Sequence, residues 1–545
     1  MTIPVATLLF VALAGATALS AQERGASDQT PLTETERIRH LLSRFSFGLT
    51  PGMVEEVRAK GMDAWFEANL SKTDQFQEDG YLVKVLASLK SIELPLGELL
   101  STYNPRLPRK PTSKDRQRVN RLRNQPRQEL RDAILYRAVF GRNQIVEVAS
   151  DFFRNHLNVD VNKGAVRYLA TNYERETIRA SVLGNFGTML LASAKHPAML
   201  VYLDNALSRR PMSKAELGAV GRRVQRKTGS RSRAEESIEI AKQRGLNENY
   251  ARELLELHTL GVDKFYTQRD VIEVAKALTG WTVQVGSGKN PGFRFRADMH
   301  CRGEKRFLGG MIASNNKNPV AEGEEVIHRL NRHKGTARFL GWKLCRYFVD
   351  DEPPEPLVRR VAAAFRRSKG DLPTVYRAIY KDRLFFDPRY FQSKFKRPFE
   401  FLVSALRVTG ARITSTRGLH KTLANLSEPI YECEDPTGYY DQAEAWRDPG
   451  VMAVRWQFAM NLARGRIPGL RIPDSFYEDL PANIPLAWKD RLAPRILPAG
   501  MGDDTRKVMD QMVREYLAKN KRPKPSELGP LIVGLLLGSP EFQRQ

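Results

Sequence analysis

The segment NENYARELLELHTLG, residues 247–261, carries the polar side chains best suited to chemistry. On a helix that turns about 100° per residue, four of them share one face: Asn249, Arg252, Glu253 and Glu256. Glu253 and Glu256 could bind a metal ion or act as an acid/base pair, with Arg252 orienting an anionic group. Alternatively, Arg252 and Glu256, four residues apart, form an ion pair that only stabilises the fold. His258 lies about 200° from Glu256, which excludes the Glu-x-x-His spacing of di-iron helical bundles.

The segment DFFRNH, residues 151–156, adds carboxylate, amide and imidazole groups. Asp151 and Asn155 are four residues apart and therefore share one face of a helix. His156 shares its face with Phe152 and Phe153, an arrangement that is typical of a histidine in the core. In the functional alternative, the three polar residues converge in one site with the two glutamates of the 247–261 segment.

His300 supplies a third candidate position. It follows a predicted β-hairpin in the loop-like segment MHCRGEK, so we expect it to be exposed and available as a ligand or acid/base group. The sequence contains no Gly-x-Ser-x-Gly elbow, Walker loop, dinucleotide-binding glycine motif or His-Glu-x-x-His pair, so it does not specify a reaction. A divalent metal is one candidate cofactor, of unknown identity. The candidate catalytic residues are Asp151, Asn155, His156, Arg252, Glu253, Glu256 and His300.

The composition predicts a large globular scaffold for these residues. The chain has 545 residues, 41% of them hydrophobic, with 25 Phe and three Cys. This length predicts one large core with appended pieces or two to three subdomains, and the composition excludes a mainly disordered or fibrous chain. Three Cys without a CxxC pair exclude a disulfide scaffold and argue against structural zinc. No apolar run of about 18 residues follows the N-terminal one, so we expect no membrane span in the mature chain.

Residues 1–21 predict a secretory signal peptide. The run VATLLFVALAGATAL has no charged side chain and ends in small residues, with cleavage expected after Ala18 or Ala21. An uncleaved N-terminal anchor is the alternative. In both cases we expect an exported protein that works in the periplasm or outside the cell.

Two basic stretches, residues 102–131 and 209–233, hold much of the net charge of +25. The first has ten Lys or Arg against two acidic residues and the second has nine against one, so each contributes +8. Because Pro and Ser interrupt both, with Gly as well in the second, we predict exposed, partly disordered inserts. Such charge favours an anionic polysaccharide or a lipid surface as partner, against the alternative of solvated loops with no partner. Tyr103 is their one aromatic residue and the chain is predicted to be exported, so we do not expect nucleic acid as a partner.

Helical patterns dominate the rest of the chain. Thr50 and Pro51 predict a helix start with a stop at Gly61, and Thr267 with Asp270 predicts a capping box. Apolar spacing predicts further helices at residues 34–45, 131–157, 173–194, 247–260, 335–349, 357–367, 398–409, 451–463, 503–517 and 527–537. Alternation near residues 281–296 predicts one small β-hairpin. The expected fold is all-α, with a main helical domain at 35–470 that carries the basic inserts and a C-terminal helical extension at 471–545 packed on it.

Several motifs occur together in a recognisable order. They are RHLLSRFSFG (39–48), DFFRNH (151–156), HPAM (196–199), YLDN (202–205), NENYARELLELHTLG (247–261), YTQRDV (266–271), LTGW (278–281), PTGY (436–439) and SPEF (539–542). Over roughly residues 35–545 the chain resembles the bacterial family catalogued as domain of unknown function eighteen hundred. The resemblance implies a large, mainly helical exported protein with no established reaction, often encoded beside a second exported family related to sulfatases.

Two positions depart from the family pattern. The aromatic-rich FW-x-NH block of the family has Phe153 and Arg154 here. The His-Asp pair that follows the hairpin in the family is His300 and Cys301 in this chain, so a role of that Asp is not carried over. The two basic stretches lie between the family motifs, which supports their interpretation as inserts.

Two functional hypotheses follow. In the first, a hydrolase-type or metal-assisted exported enzyme acts on an extracellular polymer, and aromatic rings at Tyr439, Tyr440 and Trp446 stack on sugars. In the second, a non-catalytic exported protein binds or assembles with a partner, such as a protein of the sulfatase-like family, and the aromatic loop packs on the core. The first hypothesis predicts that the seven candidate residues surround one cleft. The second predicts separate ion pairs and a broad exposed surface.

Overall fold

The computed structural model describes residues 30–71, 78–243, 245–262, 265–284, 291–481, 484–520 and 523–545. It confirms the all-α prediction, because 62% of the residues are helical and the strands form only two-stranded sheets. The α-helices are α1 Glu34–Phe45, α2 Met53–Lys60, α3 Met62–Leu70, α4 Gly80–Ser88, α5 Leu96–Tyr103, α6 Ser113–Phe140, α7 Gln144–His156, α8 Val166–Asn172, α9 Phe186–Lys195, α10 Pro197–Tyr202, α11 Lys214–Thr228, α12 Arg231–Gln243, α13 Asn249–Leu255, α14 Gln268–Leu278, α15 Val320–Arg332, α16 Lys334–Phe348, α17 Glu355–Arg367, α18 Leu372–Tyr380, α19 Pro398–Val408, α20 Arg417–Asn425, α21 Pro449–Ala463, α22 Trp488–Ile496, α23 Asp503–Lys519 and α24 Pro525–Gly538. Two π-helical segments, Tyr173–Arg179 and Glu256–Leu260, continue α8 and α13. The strands are β1 Trp281–Gln284, β2 Gly292–Phe295, β3 Lys305–Phe307, β4 Gly310–Ile312, β5 Arg412–Ile413 and β6 Leu470–Arg471.

Capping residues set the helix starts that the sequence predicted. The Thr33 side chain accepts from the Glu36 amide while the Glu36 carboxylate accepts from the Thr33 amide, which begins α1. Thr267 and Asp270 form the same reciprocal pair at α14, as predicted. Each pair satisfies backbone amides that the first helical turn leaves without a partner. The start predicted at Thr50 and Pro51, in contrast, is wrong, because Gly52 is the N-cap and α2 begins at Met53, whereas Gly61 is the C-cap, as predicted.

The single helix predicted at residues 131–157 is two helices, α6 and α7. The Gly141 amide closes the last turn of α6, and the Asn143 side chain then accepts from the Val146 amide and begins α7. Apolar spacing continues across this break, so periodicity alone joins the two helices. Because of this break, the direction of α7, and so the position of the polar residues at its C-terminal end, does not follow from that of α6.

The basic stretches are helical, which corrects the prediction of partly disordered loops. Residues 102–131 include the first half of α6, and residues 209–233 include α11 and the start of α12. Reciprocal capping by Thr112 with Asp115 and by Ser213 with Glu216 begins α6 and α11. Long Lys and Arg side chains keep much of their freedom in a helix, so a helix can form without an apolar stripe. This is why the apolar pattern did not reveal these helices.

The predicted β-hairpin is present as β1 and β2. Trp281 lies opposite Phe295, and Val283 lies opposite Phe293. Residues 285–290 of its turn are outside the described residues. Two more antiparallel pairs, β3 with β4 and β5 with β6, were not predicted. Their strands have two or three residues each, too few for an alternating pattern to be recognised.

One apolar cluster extends from α1 to α24 and positions the helices that carry the candidate residues. Phe153 of α7 and Leu254 of α13 are fully buried in it. Near the C-terminus, α24 lies close to α21, because a Cβ on Gly534 would be only 2.6 Å from the Met460 sulfur. The division into units at 35–470 and 471–545 stays a prediction.

No helix in the described ranges is both long enough and apolar enough to cross a membrane. The predicted signal peptide, residues 1–21, lies outside the described residues. Export therefore stays a prediction.

Candidate functional site

The C-terminal turn of α7 holds the loop of residues 433–439 through side-chain amides. Asn155 Nδ2 donates to Tyr439 O, and Asn155 Oδ1 accepts from Tyr439 N, each at 2.7 Å. Asn158 Nδ2 donates to two further carbonyl oxygens of the loop, both at 2.9 Å. Gly438 has a φ of +78°, and a Cβ there would lie 2.5 Å from Asn155 Oδ1. The PTGY motif is thus a loop that only glycine allows to approach α7 so closely.

Glu253 and Glu256 are half-buried beside this loop. Burial and the neighbouring carboxylates of Glu256 and Asp435 raise the pKa of Glu253 above its ordinary value. Within the described part of the chain, no hydrogen bond or ion pair engages the Glu253 carboxylate, whereas Glu256 accepts from the Tyr266 hydroxyl at 3.2 Å. Three carboxylates therefore lie near one another, and that of Glu253 has an increased tendency to hold a proton.

Arg252 is directed to other partners. Its Nη2 donates to Gln268 Oε1 at 2.7 Å and lies 3.8 Å from the Glu248 carboxylate. The ion pair with Glu256 that the sequence suggested is not formed. The Glu256 amide still donates to Arg252 O, so the two residues keep α-helical spacing, and their side chains instead bond to Gln268 and to the Tyr266 hydroxyl.

Asp151 is buried in a charged cluster. Its Oδ1 accepts from Arg154 Nη1 at 3.1 Å, and its Oδ2 accepts from the Tyr347 hydroxyl at 3.0 Å and from Arg397. Each oxygen therefore has at least one strong donor. We call this cluster the Arg397 network; its members are Asp151, Arg154, Glu174, Tyr347, Arg397, Glu428 and Tyr431.

The rest of the Arg397 network is equally well paired. Arg154 forms two hydrogen bonds with Glu174, at 2.9 and 3.1 Å, and Arg397 Nη1 donates to Glu428 at 2.7 Å. The Tyr431 hydroxyl donates to Glu174 at 2.7 Å. Five of the members line a small cavity of about 30 Å³ together with Asn155, Asn158 and Tyr439, room for one or two water molecules. The contacts within the network hold helices together.

His156 is a core histidine, which confirms the structural alternative for this residue. Its Nε2 lies 3.1 Å from the carbonyl oxygen of His258, and its ring stacks on Phe152 with a centroid distance of 5.7 Å. Burial, and to a smaller extent the charge of Lys343, holds the pKa of His156 well below its ordinary value. The contact does bring α7 against the helix of the Glu253 segment, so the two segments meet through their buried faces.

His300 is 2% exposed, so the expectation of an accessible loop histidine is wrong. Its Nδ1 lies 2.8 Å from Thr279 O, and its Nε2 lies 3.0 Å from Glu322 Oε2. Lys305 Nζ donates to the same carboxylate and, at 2.6 Å, to Cys301 O. Strand β3 and helix α15 supply Lys305 and Glu322 and enclose the ring, and β3 was not predicted.

The structure brings together part of the candidate set. Three residues lie at or beside the loop of residues 433–439: Asn155, Glu253 and Glu256. Asp151 lines the same small cavity as Asn155, although its carboxylate is bonded within the Arg397 network. The side chains of the other three are engaged elsewhere: His156, Arg252 and His300. Among the residues that the structure describes, no three His, Cys, Asp or Glu side chains are grouped so that they could bind one metal ion.

A family model described as "Protein of unknown function (DUF1800)" matches residues 40–544. The chain belongs to this family. The match confirms the resemblance that the motifs indicated, and the family description assigns no reaction. No curated protein and no solved structure matches the chain.

This DUF1800 protein also carries a surface that the search for catalytic residues missed. Helices α11 and α12 form what we call the basic hairpin, residues 214–243. Six of its cations are exposed and, in the described part of the chain, have no hydrogen bond or ion pair. They are Lys214 at the start of α11 and a group of five at residues 222–233: Arg222, Arg223, Arg226, Lys227 and Arg233. The sequence signalled the charge of this region. It did not reveal the two helices that hold the charges at fixed spacing.

Proposed function

We propose that this protein is an exported, non-catalytic binding protein whose basic hairpin docks on an anionic polysaccharide. The observation that carries the proposal is the group of five exposed, unpaired cations on the hairpin. Three of the four acidic groups on the hairpin have other partners: Glu216 pairs with Arg210, Glu235 with Arg231 and Glu239 with Lys242. The fourth, Glu236, is exposed and pairs with none of the five cations in the described part of the chain. The five cations are therefore available to an external anion.

The hairpin holds these cations in fixed places. Gly229, in the left-handed conformation with φ +68°, ends α11 and turns the chain towards α12. The two helices lie close together at Gly221, where a Cβ would be 2.6 Å from Ile238 Cδ1. Arg222 and Arg226 lie one turn apart on α11, which spaces them about 6 Å along the helix axis. This spacing suits a polymer with closely repeated anionic groups.

The hairpin lacks groups that other polyanions require. Residues 214–243 contain no aromatic side chain on which nucleic-acid bases could stack. Ile240 is the one large exposed apolar side chain recorded there, far less than the apolar face of a membrane-bound helix. Carboxylate or sulfate groups on sugars need only charge-assisted hydrogen bonds from Lys and Arg. These properties favour an anionic polysaccharide over nucleic acid or lipid.

Binding of polygalacturonate and dextran sulfate to the mature protein tests the proposal, with neutral dextran as the blank. The variant reverses four charges on α11: R222E, R223E, R226E and K227E. We expect an affinity loss of at least about tenfold, because four attractive contacts become repulsive. Raising the salt concentration should weaken wild-type binding, since exposed charges are screened.

A matched control separates the hairpin from the total charge. It reverses four exposed cations outside the basic stretches that have no recorded ion pair: R302E, K317E, R366E and R367E. Both variants change the net charge by the same amount, and only the hairpin variant should lose binding. An equal loss in both would show that the polymer responds to net charge alone. If neither polymer binds the wild type, the polysaccharide is rejected as the partner. The binding-protein hypothesis then requires a protein partner, such as an exported protein of the sulfatase-like family.

Acid/base catalysis centred on Glu253 is the second candidate function, and the raised pKa of this half-buried, unpaired carboxyl group favours it. A carboxyl group with a raised pKa holds its proton to a higher pH than an ordinary glutamate and can donate it to a leaving group. The measurement is release of reducing ends from polygalacturonate by the wild type, Glu253→Gln and the control Glu304→Gln, at an exposed position. Turnover that disappears only in Glu253→Gln, with an unchanged melting temperature, would support catalysis. Absence of turnover in the wild type would remove this candidate for that substrate.

A further inference from the structure

A cavity of about 580 Å³ lies between α2 and α3 on one side and the junction of α6 and α7 on the other. This volume is within the range of small-molecule sites. Met53, Trp65 and Phe140 contribute apolar wall, and Gln144 and Arg407 contribute polar wall. Neither the candidate catalytic residues nor the basic hairpin line it, so this cavity is independent of the proposed function.

Arg407 is 4% exposed and is held by backbone oxygens. Its Nε donates to Gly48 O at 3.2 Å, and its Nη1 donates to Val139 O at 2.8 Å and to Ala138 O at 3.5 Å. The partner of its Nη2 is the sulfur of Met53, at 3.9 Å. The carbonyl groups fix the orientation of the guanidinium, and they leave Nη2 without an oxygen acceptor.

No carboxylate lies within 4.0 Å of the Arg407 guanidinium in the part of the chain that the structure describes. Glu147 is the acidic group whose charge acts on it, and both Glu147 oxygens are already bound by Arg179 at 2.7 Å. Burial lowers the pKa of Arg407 to about 9. A buried cation without a counter-ion is costly, and buried arginines are normally paired.

The polar wall of the cavity is preorganised. Asn69 Nδ2 donates to Trp65 O at 2.9 Å, and Gln144 Nε2 donates to Gly141 O at 2.6 Å, so both amides are fixed. At the rim, the exposed Arg142 side chain has no recorded partner and adds positive potential. The NH2 groups of both amides are used by these carbonyls, the Asn69 Oδ1 acceptor has no partner among the described residues, and Glu56 on the lining is paired with Lys60. The groups that favour an anionic ligand are therefore the cations Arg407 and Arg142, and the fixed wall needs little ordering on binding.

We propose that this cavity binds an organic carboxylate with an apolar body. The carboxylate accepts a charge-assisted hydrogen bond from Arg407 Nη2 and supplies the missing counter-ion. The apolar body packs on Trp65 and Phe140.

Phenylacetate and its neutral analogue phenylacetamide test the proposal on the full mature chain. They have nearly the same shape and differ in charge, so their difference reports the contact with Arg407. Tryptophan fluorescence and the melting temperature follow binding. We expect phenylacetate to bind at least about tenfold more tightly than phenylacetamide and to raise the melting temperature. Equal binding of the two compounds, or no saturable binding of phenylacetate up to about 10 mM, would overturn the proposal.

Two variants of α3 locate the site. Ala68 lines the cavity, so Ala68→Trp should fill it and reduce phenylacetate affinity at least about tenfold. Ala64 is exposed on the same helix and does not line the cavity, so Ala64→Trp should bind like the wild type. Arg407→Gln should remove the preference for phenylacetate over the amide, with its folding checked by circular dichroism. Equal affinities of the Ala68→Trp and Ala64→Trp variants would place the binding elsewhere, even if Arg407→Gln does not fold.

Discussion

In the Arg397 network, arginines are buried and bonded to carboxylates, whereas in the basic hairpin they are exposed and have no partner. Arg154 and Arg397 each bind two carboxylates in the network. Arg222 and Arg226 bind none within the described residues. The two regions therefore use the same side chain for different purposes, and a buried paired charge is evidence about packing while an exposed unpaired one is evidence about partners.

The comparison also explains why some of the candidate catalytic residues are available for chemistry and others are not. Asp151 was a candidate because its residue type could do chemistry, yet Arg154, Tyr347 and Arg397 occupy its lone pairs. Glu253 was a candidate on the same grounds, and its carboxylate has no bonded partner in the described part of the chain. The residue type indicates which chemistry a side chain could do. Its hydrogen-bond and ion-pair partners determine whether the side chain is free to do it.

The largest effect is expected from Arg397→Leu. The substitution leaves Asp151 and Glu428 buried without their shared cation, which should lower the free energy of unfolding by about 3–5 kcal/mol. The melting temperature by calorimetry and the urea midpoint measure it. Arg366→Leu, at an exposed position, is the control and should change stability by less than about 0.5 kcal/mol. A decrease below about 1 kcal/mol for Arg397→Leu would show that the network does not depend on this pairing.

Acid should destabilise the protein through its buried histidines. Burial lowers the pKa of His258 to about 3 and that of His156 well below its ordinary value of 6.5. The unfolded chain therefore takes up protons first, so the histidines stabilise the fold fully above about pH 6.5 and progressively less as the pH falls towards their folded pKa values. Each contributes up to about 1.4 kcal/mol per pH unit. We expect His156→Phe to reduce the slope of stability against pH between about pH 5.5 and 4.

The exposed His328 provides the control for this slope. His328→Phe should leave the dependence on pH as in the wild type. If His156→Phe and the wild type lose stability in parallel, protonation of His156 is not part of the acid transition.

Local patterns made most of the fold predictable. Capping at Thr267, the apolar spacing of the helices and the alternation of β1 and β2 all depend on neighbours a few residues away. The basic helices were missed because helix formation there does not depend on an apolar stripe. The short strands β3 to β6 were not predicted because each has only two or three residues. They are recognised as strands through their pairing with another segment and not through a pattern in their own residues.

The candidate site was predictable only in part, because its environment comes from distant segments. A helical wheel correctly places Asp151 and Asn155 four residues apart on one face. The groups that meet Asp151, however, come from 196 and 246 residues further along the chain, at Tyr347 and Arg397. His300 was expected to be exposed because Glu322, its partner 22 residues later, gives no local signal. The packing of distant segments thus determines which polar side chains are buried and which remain exposed.

A smaller effect is expected from separating the two helices of the basic hairpin. Gly221→Val places a side chain where Ile238 Cδ1 would be 2.6 Å from its Cβ, an overpacking that costs about 1–3 kcal/mol within the hairpin. At Gly218, a Cβ meets only the mobile end of Arg222, at 3.2 Å, so Gly218→Val is the matched control. Faster proteolysis of the hairpin in Gly221→Val alone, with the main melting transition unchanged, is the expected result. A lower main transition would show that the hairpin and the core unfold together.

The smallest effect on stability is expected from Arg226→Glu. Arg226 and Arg222 are like charges one turn apart, so reversing one of them relieves a repulsion of about 0.2–0.5 kcal/mol. Because Arg226 lies in the last turn of α11, a carboxylate there also costs about 0.3–1 kcal/mol against the helix dipole, and we expect the melting temperature to stay nearly unchanged. The same variant should bind dextran sulfate more weakly. The two arginine variants should therefore give opposite results. Arg226→Glu should lose binding and keep stability, whereas Arg397→Leu should lose stability. If Arg226→Glu instead lowers the melting temperature by several degrees, the exposed cations hold the fold, and the basic hairpin is no longer evidence for a partner.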